Sequence, residues 1–269
     1  ANFTFNNDAD PPNVTATPKS SLDVDTVIAL SYPSGVFVKN DGSSFVGTAY
    51  TFATRNLQNQ MWMVGSNTKG QLAQNNTTQY SSPVQVTGSS WNKFSMGNLH
   101  AWATKTDGTL WAWGNATNGQ LGLNATILTS SPTQVPGTTW NGTISAAYVN
   151  SYAVKTDGTL WTMGANYYGQ LGLNQGQPAN VSSPTQIGSG TDWSFVTSSL
   201  YCAFAVKTNG QLWSWGYNNI GTMGVNDRAW RSSPVQVPGT TWTSKLSDGH
   251  THVLAIKSDN TLWGWGDNE

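Results

Sequence analysis

The side chains best suited to catalysis or metal binding are few in this chain. There are three histidines, one cysteine and 13 carboxylate side chains in 269 residues. His100 and His252 occupy the same position in two copies of an internal repeat, where another copy has Cys202. A metal site would need two or three such residues with ligand spacing, and no local spacing of that kind occurs. We therefore expect both histidines to make hydrogen bonds and not to bind a metal.

A second group of side chains that could bind a partner, charged and aromatic, lies in the segment Asn226-Asp227-Arg228-Ala229-Trp230-Arg231. Trp230 lies outside the repeat, unlike the other tryptophans, and an aromatic side chain between two arginines on a loop is typical of interface hot spots. The sequence therefore predicts a binding surface formed by Trp230, Arg228 and Arg231. A second interpretation, in which Trp230 folds back over the neighbouring strands, stays open at this point.

Motifs for the common enzymatic chemistries are missing from the sequence. It contains no phosphate-binding glycine loop, no serine nucleophile elbow and no adjacent carboxylate pair outside the repeat. With 12 basic and 13 acidic side chains, it has no basic excess for a nucleic-acid backbone. No apolar run approaches the roughly 18 residues of a membrane span. We predict a non-enzymatic protein without cofactor or metal, which neither binds nucleic acid nor inserts into a membrane.

The strongest feature of the chain is an aromatic-rich segment closed by glycine that occurs five times. The closing glycines are separated by 49, 50, 52 and 50 residues. Such a period indicates one supersecondary unit that packs against copies of itself. The five copies run from Trp62 to Gly65, Trp111 to Gly114, Trp161 to Gly164, Trp213 to Gly216 and Trp263 to Gly266.

Each repeat reads as four short strands. In residues 140–187, alternating stretches begin at Trp140 and Tyr152, an apolar stretch begins at Leu160, and a last stretch begins at Pro184. Asp157-Gly158 predicts a two-residue hairpin turn in which both residues have positive φ. Four strands per roughly 50 residues is the period of a propeller blade. The fold class is therefore all-β, a β-propeller of about five four-stranded blades.

The two ends of the repeat array raise the question of how the ring closes. Four copies have a closing Ser-Pro strand, and the last copy lacks one. Because an open edge exposes unpaired backbone groups, we expect an N-terminal strand to close the ring, with Val27 to Leu30 or Val36 to Val38 as candidates. The alternative is that these blades are part of a six- or seven-bladed ring.

The first 43 residues differ in composition from residues 44–269, which hold the propeller repeats. They are acidic and contain Pro11, Pro12 and Pro18, so they read as an extended arm that also supplies the closing strand. The arm either tethers the protein to a partner or is a mostly disordered leader.

The order of the motifs resembles one known family. Lys-Thr-Asp-Gly-Thr-Leu-Trp is followed by Trp-x-Trp-Gly-x-Asn, by Gly-Gln-Leu-Gly, and by Ser-Pro-x-x-Val. This order is similar to the regulator of chromosome condensation repeat family of β-propellers, over residues of roughly 44 to 269. The resemblance implies a propeller fold, and some family members act as exchange factors for a small GTPase and bind chromatin.

Basic side chains recur at equivalent repeat positions, at Arg55, Lys105, Lys155, Lys207 and Lys257. They predict a ring of positive charge on one rim, which could attract an acidic partner. Because aspartates follow two residues later in three of these hairpins, we favour solvated turn charges instead.

Together these patterns favour a structural or protein-interaction scaffold, on a virion or at an extracellular surface, whose partners are proteins of a larger assembly. The first alternative is a lectin-like propeller that binds a surface glycan through loops carrying Tyr167, Tyr168 and Tyr217. The second is a small-GTPase exchange factor, which rests on the resemblance alone.

Overall fold

A computed structural model describes residues 2–6, 13–17, 27–30, 50–53, 60–175 and 179–268. The chain divides into two compact units, residues 1–58 and residues 59–269. The predicted boundary between residues 43 and 44 falls outside the described residues, so it stays a prediction. No helix within the described ranges is long and apolar enough to cross a membrane.

The first unit contains two antiparallel strand pairs. β1 (Asn2–Asn6) pairs with β2 (Asn13–Thr17), and β3 (Val27–Leu30) pairs with β4 (Tyr50–Ala53). Val27 to Leu30 is thus a strand, as predicted, and β4 occupies one of its edges. The other candidate for ring closure, Val36 to Val38, lies outside the described residues. Closure by an N-terminal strand stays a prediction.

The second unit is a series of antiparallel sheets with one sheet per repeat, and its described residues contain no helix. We number the sheets as blades 1 to 5. Blade 1 has two strands, blades 2 to 4 have four each, and blade 5 has three. The strands are β5 (Trp62–Gly65) and β6 (Tyr80–Gln85) in blade 1; β7 (Trp91–Met96), β8 (His100–Lys105), β9 (Leu110–Gly114) and β10 (Thr129–Gln134) in blade 2; β11 (Trp140–Ala146), β12 (Asn150–Lys155), β13 (Leu160–Gly164) and β14 (Val181–Gln186) in blade 3; β15 (Trp193–Ser198), β16 (Cys202–Lys207), β17 (Leu212–Gly216) and β18 (Arg231–Gln236) in blade 4; and β19 (Trp242–Asp248), β20 (His252–Lys257) and β21 (Leu262–Gly266) in blade 5.

This architecture confirms the predicted all-β propeller with about five blades. The four Ser-Pro segments form β6, β10, β14 and β18, which pair with the aromatic strands β5, β9, β13 and β17. Each Ser-Pro strand therefore closes its own blade. Register shifts in all four pairs mark an irregularity at the same place in each blade.

The hairpin turns differ from the prediction. Neither Asp157 nor Asp107, in the turn of the same sequence in blade 2, is among the residues with positive φ, whereas Gly158 has φ of 77° and Gly108 has φ of 79°. The Gly108 N–H donates to the Lys105 carbonyl at 3.0 Å, and the Lys105 N–H donates to the Thr109 carbonyl at 2.9 Å. This is the pattern of a type I turn followed by a left-handed bulge residue, so only the glycine needs positive φ. The Asp107 carboxylate accepts the Thr109 N–H at 2.9 Å, an Asx-type contact within the turn.

The core consists of apolar clusters that join neighbouring blades. The second strand of each complete blade is almost fully buried, and Trp102, Tyr152 and Phe204 are among the largest enclosed side chains. Trp102 packs with residues of blade 3, Tyr152 with blade 4 and Phe204 with blade 5. Both faces of the middle strands are therefore covered, which explains why their sequences do not alternate with polar residues.

Backbone contacts between blades repeat with the same geometry. A Cβ atom added at Gly119 of blade 2 would lie 2.6 Å from the Ser182 Cα of blade 3. The Asn124 N–H of the same loop donates to the Ser182 carbonyl at 2.7 Å. The Trp215 Nε1–H of blade 4 donates to the Gln170 carbonyl of blade 3 at 2.8 Å. The loop that follows the aromatic strand in one blade therefore contacts both the Ser-Pro strand and the aromatic strand of the next blade.

The lysines of the repeat pack against tryptophans. Lys155 Nζ lies 4.7 Å from the ring centroid of Trp140 and 4.3 Å from that of Trp161. A cation at this distance from an indole face is attracted by the ring quadrupole. Solvated turn charges are therefore the wrong description for these lysines, because each ammonium group lies against two indoles. Lys105, Lys207 and Lys257 make the same paired contacts, and Arg55 lies outside the described residues.

His100 links blades 2 and 3. Its ring is 1% exposed, and Nε2 lies 2.8 Å from the Ser151 Oγ of the next blade. Burial lowers its pKa from 6.5 to about 4. The expected hydrogen-bonding role is confirmed for His100. His252, in blade 5, is exposed. Within the described ranges, no three His, Cys, Asp or Glu side chains are grouped so that they could hold a metal ion.

We predict that His100 makes the protein less stable in acid. Because the folded state keeps the imidazole neutral down to about pH 4, the unfolded chain binds the proton first as the pH falls through 6.5. The free energy of unfolding should fall by about 3 kcal/mol from pH 7 to pH 4 through this group. Urea unfolding of the wild type and of His100→Asn, at both pH values, measures the difference.

His100→Asn is a matched change, because Asn150 occupies the equivalent position in blade 3. The carboxylates titrate in both proteins, so the difference between the two pH dependences isolates the imidazole. Equal pH dependences would contradict this account.

Candidate interaction surface

One end of blades 3 and 4 carries the loops that vary most between repeats. The turns between β11 and β12 and between β15 and β16 lie there, together with the long loops after β13 and β17. Antiparallel pairing within each blade places these connections at the same end. The glycine hairpin turns lie at the opposite end. Loops held on a rigid sheet scaffold are common positions for binding residues.

Five aromatic rings from these loops form a continuous cluster, which we call the aromatic platform. The platform consists of Tyr148, Tyr168, Tyr201, Tyr217 and Trp230. The Tyr168 ring is central, with centroids 4.8 Å from Tyr201, 5.1 Å from Tyr217 and 4.9 Å from Trp230. Most of the contacts are edge-to-face, the arrangement that aromatic quadrupoles favour. Trp230 remains 41% exposed and Tyr148 43% exposed, so the platform presents aromatic surface to solvent.

Polar contacts fix the loop that carries Trp230. The Trp230 Nε1–H donates to the Asn219 side-chain oxygen. The Asp227 carboxylate accepts the Ala229 N–H at 2.9 Å and pairs with the Arg231 guanidinium at 2.5 Å. The loop therefore has its own internal support, and Trp230 is held in one orientation.

The three predicted binding residues differ in exposure and in ion pairing. Trp230 packs on its neighbours and is still 41% exposed. It therefore has features of both interpretations, the exposed binding residue and the side chain that folds back over the protein. Arg231 forms an ion pair with Asp227 at 2.5 Å. Arg228 is exposed and has no ion pair among the described residues. Their role in binding stays a prediction.

Tyr148 and Tyr201 belong to this surface although the sequence pattern did not predict them. They lie in two short turns, at positions where blades 2 to 5 otherwise have Asn, Leu, Val, His or Thr, so these positions carry no repeated signal. Partial burial, together with the neighbouring tyrosines, raises the pKa of Tyr201. Tyr168 and Tyr217, which the lectin hypothesis named, both lie in the platform.

A polar border continues the platform toward blade 2. The Tyr167 hydroxyl donates to the Asn118 side-chain oxygen at 2.7 Å. The Asn180 side-chain amide donates to the same oxygen at 3.2 Å. Hydroxyl and amide groups therefore lie next to the exposed rings.

Cys202 is unsuited to nucleophilic chemistry in this setting. The thiol is buried and lies 2.8 Å from the Ser199 hydroxyl. Burial raises its pKa to about 12, so almost no thiolate forms at neutral pH.

The repeated blades and loops define a β-propeller repeat protein, and the family follows from its sequence pattern. The Regulator of chromosome condensation (RCC1) repeat matches residues 107–149, 157–205 and 209–256, just over half of the chain. The chain belongs to this family, as its motifs predicted. No curated protein matches the chain.

Solved structures share the fold at low sequence identity. Human WBSCR16 is 22% identical over 76% of this chain and 56% of its own, with a TM-score of 0.66. Yeast RCC1 (Prp20), solved with Kap60 bound, is 17% identical over 85% of this chain and 59% of its own, with a TM-score of 0.63. Prp20p from Saccharomyces cerevisiae, in a second crystal structure, is 18% identical over 76% of this chain and 56% of its own, with a TM-score of 0.59. The chain thus spans just over half the length of these relatives.

Removal of Trp230 should cost little stability, whereas removal of Tyr168 should cost more. Tyr168 contacts three rings, and truncating a packed aromatic residue leaves a cavity. We expect Trp230→Ala to lower the free energy of unfolding by about 1 kcal/mol and Tyr168→Ala by about 3 kcal/mol. Urea denaturation of both variants gives these values. A loss at Trp230→Ala equal to that at Tyr168→Ala would mean that Trp230 belongs to the core.

Proposed function

We propose that this protein is a non-enzymatic interaction scaffold that binds protein partners of a larger assembly through the aromatic platform. The supporting observation is the platform itself, in which loops of two adjacent blades converge to expose Tyr148 and Trp230. Large aromatic side chains on a rigid support are typical of interface hot spots, because they bury much area and lose little rotamer entropy.

The charges around the platform favour a particular kind of partner surface. The Arg231 charge is balanced by Asp227, whereas the Arg228 guanidinium is exposed beside them. A complementary partner surface would place an apolar or aromatic group on Trp230 and a carboxylate near Arg228. Arg228 then contributes orientation and association rate more than affinity.

The location that we propose is the surface of a virion or of a cell, with residues 1–43 as the tether. Its basis is the low charge content of 9% and the loops rich in Asn, Thr and Gly. A small-GTPase exchange role is less well supported. One solved Prp20p structure describes binding to Gsp1p and histones, but that is a property of the yeast protein. In this chain the near-constant repeat spacing leaves no room for a large insertion within the blades.

A lectin-like role is the second candidate, and it rests on the polar border. The hydroxyl of Tyr167 and the amides of Asn118 and Asn180 lie beside the rings, where a sugar could stack and donate hydrogen bonds. Aromatic faces bind the apolar faces of sugars in the same way as they bind apolar side chains.

Quantitative cross-linking in the native assembly tests the proposal. Wild-type protein should cross-link to a defined protein partner, and Trp230→Ala should reduce that yield by about tenfold, in line with the loss of a hot spot. Ile127→Ala is the matched control, because Ile127 is 76% exposed on a loop of blade 2 outside the platform. It should leave the yield unchanged.

Two results would contradict the protein-scaffold proposal. Equal yields for the wild type and Trp230→Ala would exclude the platform as the contact surface. Specific binding on a glycan array that depends on Tyr167, without a protein partner, would favour the lectin role.

A further inference from the structure

A cavity of about 290 Å³, partly open to solvent, lies at the junction of blades 3 and 4. Its wall is mostly apolar, with Leu173, Ile187 and Pro234 beside the indole of Trp193. Small-molecule sites commonly combine such walls with a few polar groups. Because an apolar cavity of about 150 Å³ is enough for benzene, a molecule with one ring and a short polar substituent fits this space.

The connection that borders the cavity departs from the repeat. Five residues separate Ile187 from Trp193, whereas four separate the equivalent residues in the connections before blades 2, 3 and 5. Gly188 follows Ile187, where the connections before blades 3 and 5 have Pro136 and Pro238. A Cβ atom added at Gly188 would meet no atom of the described chain within 4 Å beyond its own sequence neighbours. The wall of the cavity therefore lacks a side chain at this position.

A buried hydrogen-bond donor lies beside the same connection. Trp193 is 6% exposed, and its Nε1–H has no hydrogen-bond partner among the described residues. A Cβ atom at Gly190, which also borders the cavity, would lie 3.2 Å from Trp193 Nε1. The absence of a side chain at Gly190 thus leaves space next to this donor. Because a buried donor without a partner is unfavourable, an acceptor atom that enters the cavity gains a hydrogen bond there.

The other blades provide an internal comparison for this donor. In the described part of the chain, the Nε1–H groups of Trp91, Trp140 and Trp242 also lack acceptors. The connection before Trp140 has the ordinary length, however, and a Cβ atom at Gly137 would lie 3.9 Å from Trp140 Nε1. An indole N–H without a partner is thus a property of the repeat, whereas the longer connection with two glycines belongs to blade 4.

The charges beside the cavity favour a neutral ligand. The Lys207 ammonium group borders the cavity, but its Nζ lies 3.1 Å from a carboxylate oxygen of Asp192. It also lies 4.9 Å from the ring centroid of Trp193, so it has a counter-ion and an aromatic contact before any ligand is present. A carboxylate ligand would have to compete with Asp192 for the ammonium group, or lie near a second negative charge. A neutral carbonyl oxygen encounters neither difficulty.

We infer that this cavity is a binding site for a small neutral molecule that carries a carbonyl oxygen on an apolar body about as large as one ring. The oxygen accepts the Trp193 Nε1–H, and the apolar body packs on Leu173, Ile187 and Pro234. None of the residues that line the cavity belongs to the aromatic platform, so the inference does not depend on the function proposed for that platform.

Proton–nitrogen NMR of the indole N–H groups tests the inference. The probe is phenylacetamide, titrated into the full chain labelled with a nitrogen isotope. Trp193→Phe and Trp140→Phe each remove one indole signal and so identify the two resonances. We expect a saturable downfield shift of the Trp193 indole proton, because a hydrogen bond to a carbonyl oxygen deshields it. The Trp140 indole signal should keep its position.

A matched pair of variants locates the bound probe. Gly190 is not among the glycines with positive φ, so the backbone of Gly190→Ala is unstrained, but its methyl group would lie next to Trp193 Nε1. This variant should bind phenylacetamide about tenfold more weakly, through loss of the hydrogen bond and of space. Ser189→Ala is the control, because Ser189 is exposed, lies in the same connection and does not line the cavity. It should bind like the wild type.

A second probe tests the chemical class of the ligand. Phenylacetate has the same ring and nearly the same shape, but it is ionised at neutral pH. It should bind about tenfold more weakly than phenylacetamide, because its charge must leave water without a free counter-ion.

Three results would overturn the inference. Absence of a saturable shift of the Trp193 signal would remove the site, and so would an equal shift of the Trp140 signal. Equal affinity of the wild type and Gly190→Ala would place the probe elsewhere. Equal or tighter binding of phenylacetate would exclude a neutral ligand as the preferred class. If Gly190→Ala loses its dispersed indole signals and is unfolded, the comparison of Trp193 with Trp140 in the wild type still decides.

Discussion

The close approach of a loop glycine to the Ser-Pro strand of the next blade is the contact on which the rest of the structure depends. At three successive junctions, a Cβ atom on the loop residue would lie 2.6 to 2.7 Å from a serine Cα. No L-residue with a side chain fits there, and the left-handed φ of these glycines adds a second reason. The distance between neighbouring backbones is thus set by the absence of a side chain. The three pairs are Gly70 with Ser130, Gly119 with Ser182 and Gly169 with Ser232.

This contact also positions the aromatic platform. Tyr168 immediately precedes Gly169, and Trp230 lies two residues before Ser232. When Gly169 approaches Ser232, it brings the two aromatic residues together, at 4.9 Å between ring centroids. The Tyr168 N–H also donates to the Gln170 side chain at 2.7 Å, which fixes the loop locally. The platform is therefore preorganised by packing that would be present without any ligand, and such preorganisation lowers the entropic cost of binding.

The sequence predicted the features that depend on local spacing, and it missed those that depend on junctions between blades. The strands, the Ser-Pro closing segments and the burial of both faces follow from periodicity and residue type within one repeat. The lysine contacts could not be predicted from local spacing, because Trp140 and Trp161, which contact the same ammonium group of Lys155, are 21 positions apart. Trp230 was found because it departs from the repeat. Tyr201 was not found, because a tyrosine in a short turn shows no distinctive sequence pattern. Its role is visible only in the structure, where Tyr168 of the neighbouring blade packs against it.

Two positions beside the contacting glycine and serine have different residue types at each junction. This explains how one scaffold can carry different surfaces. The residue before the glycine and the residue two before the serine are Lys69 and Leu128 at the first junction, Asn118 and Asn180 at the second, and Tyr168 and Trp230 at the third. The second pair makes an amide hydrogen bond of 3.2 Å and the third makes an aromatic contact. The glycine and the serine make the closest backbone approach, so that approach does not limit the side chains beside them. The chemistry of each junction can then differ while the backbone contact is kept, although a packed member such as Tyr168 adds stability of its own. Recognition should therefore be sought at these paired positions and not among the repeated tryptophans.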